Sequence, residues 1–251
     1  MSLPITDYDA AVEAVIAPNR GEGFAVPPRT LLAFVNDANF AAFLGAHPHR
    51  QVAEYETIAK HYRVYALTIE DEEIGLCQAP LGAPAAVQLL DFLIGYGART
   101  VVAVGSCGVL VDTPENQLMV VTAALRDEGT SYHYLPPAAS VATDAALSAH
   151  LLRALASGAK AVATWTNDAY YRETPGKIAR ALAAGCEVVE MECAALCACA
   201  VFRGARFGQV LFTADSLAEL AAYDARGFGV AAQLPALTAA GAALVQWPAA
   251  R

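Results

Sequence analysis

The sequence predicts a three-layer α/β domain. Apolar runs of strand length alternate with amphipathic stretches of helix length along most of the chain. The run at 101–104, Val-Val-Ala-Val, is uninterrupted and rich in β-branched residues, as in a strand buried on both faces of a parallel sheet. Composition supports a large core: of 251 residues, 56% are hydrophobic and only 16% charged. That balance excludes a disordered chain, and one α/β domain can use the whole length.

In chain order, residues 1–30 read as an N-terminal extension, with a loose helix over 7–16 and then a Pro/Gly-rich stretch ending at Pro27 and Pro28. A single domain is expected from 31 to 251. Residues 31–35 are its first strand, and Phe40, Phe43 and Leu44 follow at helical spacing. Residues 62–69 alternate as a strand, 70–73 make a polar turn, and 74–78 return as another strand. A helix over 84–96 carries Val87, Leu90, Leu93 and Ile94 on one face and stops at Gly97. Strands at 101–104 and 118–123, a helix at 145–156, a strand at 161–166 and a helix at 175–184 come next. A short strand at 187–190 enters an Ala/Cys-rich helix, a late strand spans 208–214, and a last helix closes the chain.

Charge narrows the partners. Lys and Arg number 16 against 25 Asp and Glu, a formal charge of −9, which argues against a nucleic-acid backbone or an anionic membrane. Mean hydropathy is +0.38. The uncharged stretch 227–247 is long enough to span a bilayer, but it is mostly Ala, with Gln233, Pro235 and Gln246 within it. It reads as a buried terminal helix. The N-terminus lacks the basic-then-apolar pattern of a signal peptide. Of six Cys, three fall within seven residues (Cys193, Cys197, Cys199) with no His nearby and no CxxC pair. These suit reduced, buried thiols in a cytoplasmic protein, with no metal site.

In α/β sheets, ligands bind beyond the carboxyl ends of the strands, so the segments there are the candidates. Leu81-Gly82-Ala83-Pro84 and Gly105-Ser106-Cys107-Gly108 are small-residue turns whose backbone N–H groups suit an anion; on spacing alone, tight strand-to-helix geometry is the commoner explanation. In Val188-Val189-Glu190-Met191-Glu192, two carboxylates enter an apolar helix and are costly to bury without partners. Glu190 suits a helix-start cap; Glu192 suits acceptance of two hydrogen bonds from a vicinal diol. Asp215, in Thr213-Ala214-Asp215-Ser216, stands where a catalytic acid or an N-cap would. Tyr170 and Tyr171, with the segment 129–134, offer walls for a flat ring or ordinary packing.

Four pieces in order, VGSCGVL at 104–110, NDAYYRE at 167–173, VVEMECAAL at 188–196 and TADS at 213–216, resemble the nucleoside phosphorylase family of the purine nucleoside and uridine phosphorylase type. The resemblance covers residue 31 to the end. It implies an α/β/α sandwich around a central mixed sheet, assembled as a homo-oligomer (dimer, trimer or hexamer). It implies ribose binding by Glu192 and Met191, and base binding by Tyr170, Val189 and Asp215. Asp215 would also be the acid that protonates a purine leaving group. Gly105 and Ser106 would meet phosphate, the co-substrate, with no other cofactor.

The sequence departs from that family where phosphate is held. Ala103 and Phe40 stand at its two Arg positions, Asn36 replaces a turn glycine, and Ala85 replaces a serine. Charge-assisted bonds are worth about 1.5–3 kcal/mol each, so two lost arginines remove about 3–6 kcal/mol. Lys60 is the candidate substitute; with His61 and Arg63 it falls near the family segment that reaches a neighbouring subunit's phosphate site. Three readings follow. The first is phosphorolysis of a purine nucleoside to free base and ribose 1-phosphate. The second is hydrolysis by water, for which Asp37 is the only acidic residue after the first strand. The third is nucleoside binding without catalysis.

Overall fold

The computed structural model describes residues 3–155 and 158–248. Strand β1 (Arg29–Ala33) leads through helix α1 (Asp37–Gly45) into the antiparallel strands β2 (His49–Glu56), β3 (His61–Ile69) and β4 (Glu72–Gln78). Helix α2 (Ala83–Gly95), β5 (Thr100–Val109), β6 (Leu118–Asp127) and β7 (Ser140–Ala142) follow. The chain continues as α3 (Ala145–Ala154), β8 (Lys160–Asn167), α4 (Pro175–Ala183), β9 (Val188–Glu190), α5 (Cys193–Phe202), β10 (Arg206–Ser216) and α6 (Val230–Val245).

One mixed sheet runs in the order β10-β6-β8-β9-β5-β1-β4-β3-β2, with β7 on β6. β5 pairs in parallel with β1 and β10 but antiparallel with β9. Because β10 pairs with both β5 and β6, strands β5, β10, β6, β8 and β9 close into a ring. Helices α2 and α5 cover one face, with Val87, Leu90, Leu93 and Leu196 buried there. Helices α1, α3 and α6 cover the other through Phe43, Leu151, Leu237 and Leu244. This is the expected sandwich.

Local chemistry sets the helix starts. Asn36, Asp144 and Thr174 each accept a backbone N–H with the side chain, capping α1, α3 and α4. The apolar stretch near the C-terminus is α6, which packs on the sheet and on α1 and α3. Buried Arg29 pins its end, donating to the Val245 and Trp247 carbonyls while pairing with Glu72.

Three expectations need correction. Residues 7–16 form no helix, although Pro4–Thr6 make one 3-10 turn. Val12, Val15 and Ile16 stay exposed, and ten residues without a buried face do not hold a helix. Strand β2 is an element the sequence does not signal, because HRQVAEYE is polar and has one buried residue, Ala53. Gly105-Ser106-Cys107-Gly108 is not a turn: β5 runs through it, paired to β10 at Gly105, Ser106 and Cys107. The C-terminal end of the helix expected over 145–156 lies outside the described residues.

The ladder around β5 positions the site. β1 ends opposite Val104, and β9 takes up the same edge only at Gly108. Residues 105–107 therefore have no strand neighbour on that edge, and the gap opens into a cavity.

Gly97 anchors the turn between α2 and β5. Its φ is +129°, and a Cβ there would lie 2.6 Å from the Val26 carbonyl oxygen. Gly97→Ala should destabilise the protein by about 1–3 kcal/mol and lower its melting midpoint by about 2–10 °C. An unchanged midpoint in thermal unfolding would contradict this reading of the turn.

Candidate active site

The gap beside β5 leads into a cavity of about 760 Å³ at the carboxyl ends of β1, β5, β9 and β10. Gly105, Ser106, Tyr170, Val189, Met191, Glu192 and Asp215 all line it. The one expected site residue outside it is Lys60. That residue lies between β2 and β3, its ammonium 5.3 Å from the Tyr62 ring centre.

Two glutamates are held at the start of α5. Glu190 accepts hydrogen bonds from Thr166 Oγ1 at 2.6 Å and Thr164 Oγ1 at 3.3 Å, and from the backbone N–H groups of Glu192 at 2.8 Å and Cys193 at 2.6 Å. Burial pushes its pKa up, and these donors pull against it. Four donors on one carboxylate suit its ionised form, so Glu190 is the expected cap, fastening β8 and β9 to α5.

Glu192 Oε1 accepts the Gly82 backbone N–H at 2.6 Å. Gly82, at φ +91°, is the N-cap of α2, so this carboxylate sits where α2 and α5 both begin. The Gly82 N–H, expected to be free for an anion, is thus occupied by Glu192. Burial, then the Glu190 charge, raises Glu192 to about 8, against the Gly82 bond.

Asp215 lies inside β10, not after it. Between Thr213 and Ser216 the pairing with β5 slips by one residue, a β-bulge. Bulges re-aim side chains, and Asp215 lines the cavity. No helix follows at that point, which removes the N-cap alternative. A Cβ on Gly108 would stand 3.3 Å from Asp215 Oδ1 and 2.7 Å from Leu217 Cδ1, so the glycine makes room for the acid. Burial raises the pKa of Asp215, opposed by a hydrogen bond from Tyr223. Tyr223 OH donates to Asp215 Oδ2 at 3.1 Å and lies 3.1 Å from Tyr170 OH. Tyr223 was invisible in the sequence, since it sits in a loop with no periodic signal.

Glu173 is the second missed residue, although it closes the NDAYYRE segment. It lines the same cavity, and burial raises its pKa to about 7, helped by the Asp215 charge.

The cavity region beside Ser106 is neutral. Among the described residues, no Lys, Arg or His lines the cavity. Ala103 is fully buried, and Phe40 packs with Tyr65 and the α6 side of the core. In their place are amides. Gln209, opposite Ala103 in the ladder, is buried with its Oε1 unpartnered. Gln233 Oε1 accepts the Asn36 N–H at 2.9 Å. Asp37 does not line the cavity; its Oδ1 takes a hydrogen bond from Gln78 at 2.7 Å.

A closed mixed sheet that gathers buried carboxylates around an open strand edge defines a class that comparison with known proteins names. The family model of the phosphorylase superfamily matches residues 33–245, and the chain belongs to that superfamily. Its relatives include a guanosine phosphorylase from Halorubrum lacusprofundi, 25% identical over 155 residues. That match spans 60% of this chain and 64% of the relative's length. The fold matches purine nucleoside phosphorylase from Toxoplasma gondii in complex with immucillin-H, with a TM-score of 0.74 and 19% identity over 88% of this chain and 90% of that one. It also matches uridine phosphorylase from Vibrio fischeri ES114, with a TM-score of 0.74 and 22% identity over 92% and 93%.

Glu192 binds its proton more tightly folded than unfolded. The folded state thus holds the extra proton between the ordinary glutamate range and about pH 8, and stability falls as pH rises through that window. Denaturant titrations of ligand-free protein should show this decline, and Glu192→Gln should flatten it. An equal slope in the variant would contradict the burial argument.

Proposed function

We propose that this protein cleaves the N-glycosidic bond of a purine nucleoside by phosphorolysis, giving free base and ribose 1-phosphate. One observation carries the reading: buried Glu192 and Asp215 line a single cavity together with Tyr170. Glu192 accepts the ribose 2′ and 3′ hydroxyls, and Met191 packs on the sugar. Tyr170 and Val189 hold the base. Asp215, its pKa raised by burial, offers a proton to the purine N7 as the bond breaks, which is general acid catalysis. Ser106 and the Gly105 backbone, on the open edge of β5, meet the phosphate. The superfamily membership and the guanosine phosphorylase relative support this assignment.

A specific observation favours hydrolysis as the second reading. Four carboxylates, Glu173, Glu190, Glu192 and Asp215, line the cavity, and among the described residues no cation does. Against it, Asp37 is turned to Gln78 and does not reach the cavity to activate water. Phosphorolysis therefore needs its positive charge from elsewhere. Lys60 of an adjacent copy in a homo-oligomer is the candidate, since it lies outside the cavity of its own chain.

The test is base release from inosine, guanosine, adenosine and uridine, with and without phosphate. Phosphorolysis predicts purine release that requires phosphate and yields ribose 1-phosphate; release indifferent to phosphate would establish hydrolysis instead. Glu192→Ala removes two charge-assisted bonds and should lower kcat/KM about a hundredfold to ten-thousandfold. Asp215→Ala should lower kcat about a hundredfold to ten-thousandfold. Wild-type turnover in either folded variant would overturn the site.

A further inference from the structure

A buried amide in the cavity wall has nothing to bond. Gln209 lies on β10 opposite Ala103 of β5, and it lines the cavity together with Ser106, further along β5. Gln209 is 1% exposed, and its Oε1 has no partner among the described residues. Buried polar groups are nearly always paired, and an orphan is costly. Exchanging the two amide atoms would only leave the NH2 group in the same unpartnered place. Gln233, from α6, adds a second amide to the lining. Its Oε1 accepts the Asn36 N–H at 2.9 Å and a hydrogen bond from Asn39 Nδ2 at 3.0 Å. Those two donors fix the orientation of the amide and leave Nε2 to donate. Exposed Ser106 adds a hydroxyl.

These groups share a chemistry that arginine lacks. A guanidinium only donates, so it suits phosphate and sulfate alike. An amide both donates and accepts, and so does a hydroxyl. Such a wall matches a ligand that also gives and takes. Hydrogen phosphate does so, with a P–OH beside its bare oxygens. Sulfate has the same shape and charge but no hydrogen to give, so it leaves the amide acceptor unpaired and facing an oxyanion. We propose that Gln209, with Gln233 and Ser106, selects the co-substrate, binding a protonated oxyanion of the phosphate type and rejecting sulfate. This deepens the phosphorolysis reading and rests on it. A cation brought by an adjacent copy attracts both anions, so the discrimination belongs to the amides.

The test is calorimetric titration of nucleoside-free protein, near neutral pH, with inorganic phosphate and with sulfate, base release being followed separately. In the wild type, phosphate should bind about tenfold or more tightly than sulfate. Gln209→Met keeps the length of the side chain without its polar atoms. It should lower phosphate affinity about tenfold or more, while inosine affinity, measured without phosphate, stays within about twofold. Gln209→Arg, which only donates, should hold the two anions within about threefold of each other; Gln209→Met decides the case whether or not the Arg variant folds. Equal binding of sulfate and phosphate by the wild type, no phosphate binding, wild-type phosphate affinity in Gln209→Met, or loss of inosine binding in that variant would overturn the proposal. Phosphate-dependent base release without discrimination against sulfate would overturn it and leave phosphorolysis standing. Selective phosphate binding without base release would leave it standing and overturn the catalytic reading instead.

Discussion

The site depends on one buried carboxylate, Glu190. Two threonine hydroxyls from β8 and two backbone N–H groups at the head of α5 converge on it, so a residue that does not itself need to touch ligand fixes where β9 ends and α5 begins. Its charge then acts on Glu192 two residues later. A carboxylate at the meeting of two helix starts is ordinarily favoured as an anion, but burial and the neighbouring negative charge hold this one toward its protonated form. A ligand bringing hydroxyl donors to that position relieves the desolvation. On the proposed assignment, that relief would favour a sugar diol at this position.

The same economy explains where the few cations stand. Buried Arg29 fastens α6 to β1, and buried Arg126 binds Ser131 and two carbonyls of the following loop. Arg203 pairs with Asp91, and Arg226 donates to the Thr113 carbonyl. These serve the fold or the surface, and the cavity is left to carboxylates and amides. Gln209, opposite Ala103, lines the cavity, and its buried Oε1 has no partner among the described residues. The chain around Phe228, which lines the cavity, is held in the left-handed region from Arg226 to Gly229, a conformation that persists only where the surroundings enforce it.

What the sequence disclosed follows from what each signal depends on. Continuous apolar runs such as 101–104 and 210–212 are decided by burial on both faces, so β5 and β10 are legible, as is apolar α6. Signals set by tertiary context are not. The glycines of 105–108 suggest a break, but Gly105 admits the Phe34 side chain and Gly108 admits Leu217 and the Asp215 carboxylate, on a strand that stays paired with β10. Residues 7–16 have helical spacing and no surface to bury it on. Glu192 and Asp215 stood out because charges in apolar segments are rare. Tyr223 and Glu173 sit in irregular stretches with no periodic signal; the loop after β10, closed by the Ser216–Asp224 bridge, returns Tyr223 to Asp215, and Glu173 reaches the cavity from the turn after β8.

The central claim is that Glu192 binds a ribose diol in this cavity. Its most direct test is calorimetric titration of the phosphate-free protein, near neutral pH, with inosine and with 2′,3′-dideoxyinosine, in two buffers of different ionisation enthalpy. The account predicts that inosine binds about tenfold or more tightly than the dideoxy compound. It also predicts that inosine releases more protons to the buffer, because two hydroxyl donors stabilise the Glu192 carboxylate as an anion. Equal affinities with equal proton release would place the sugar elsewhere and contradict the account.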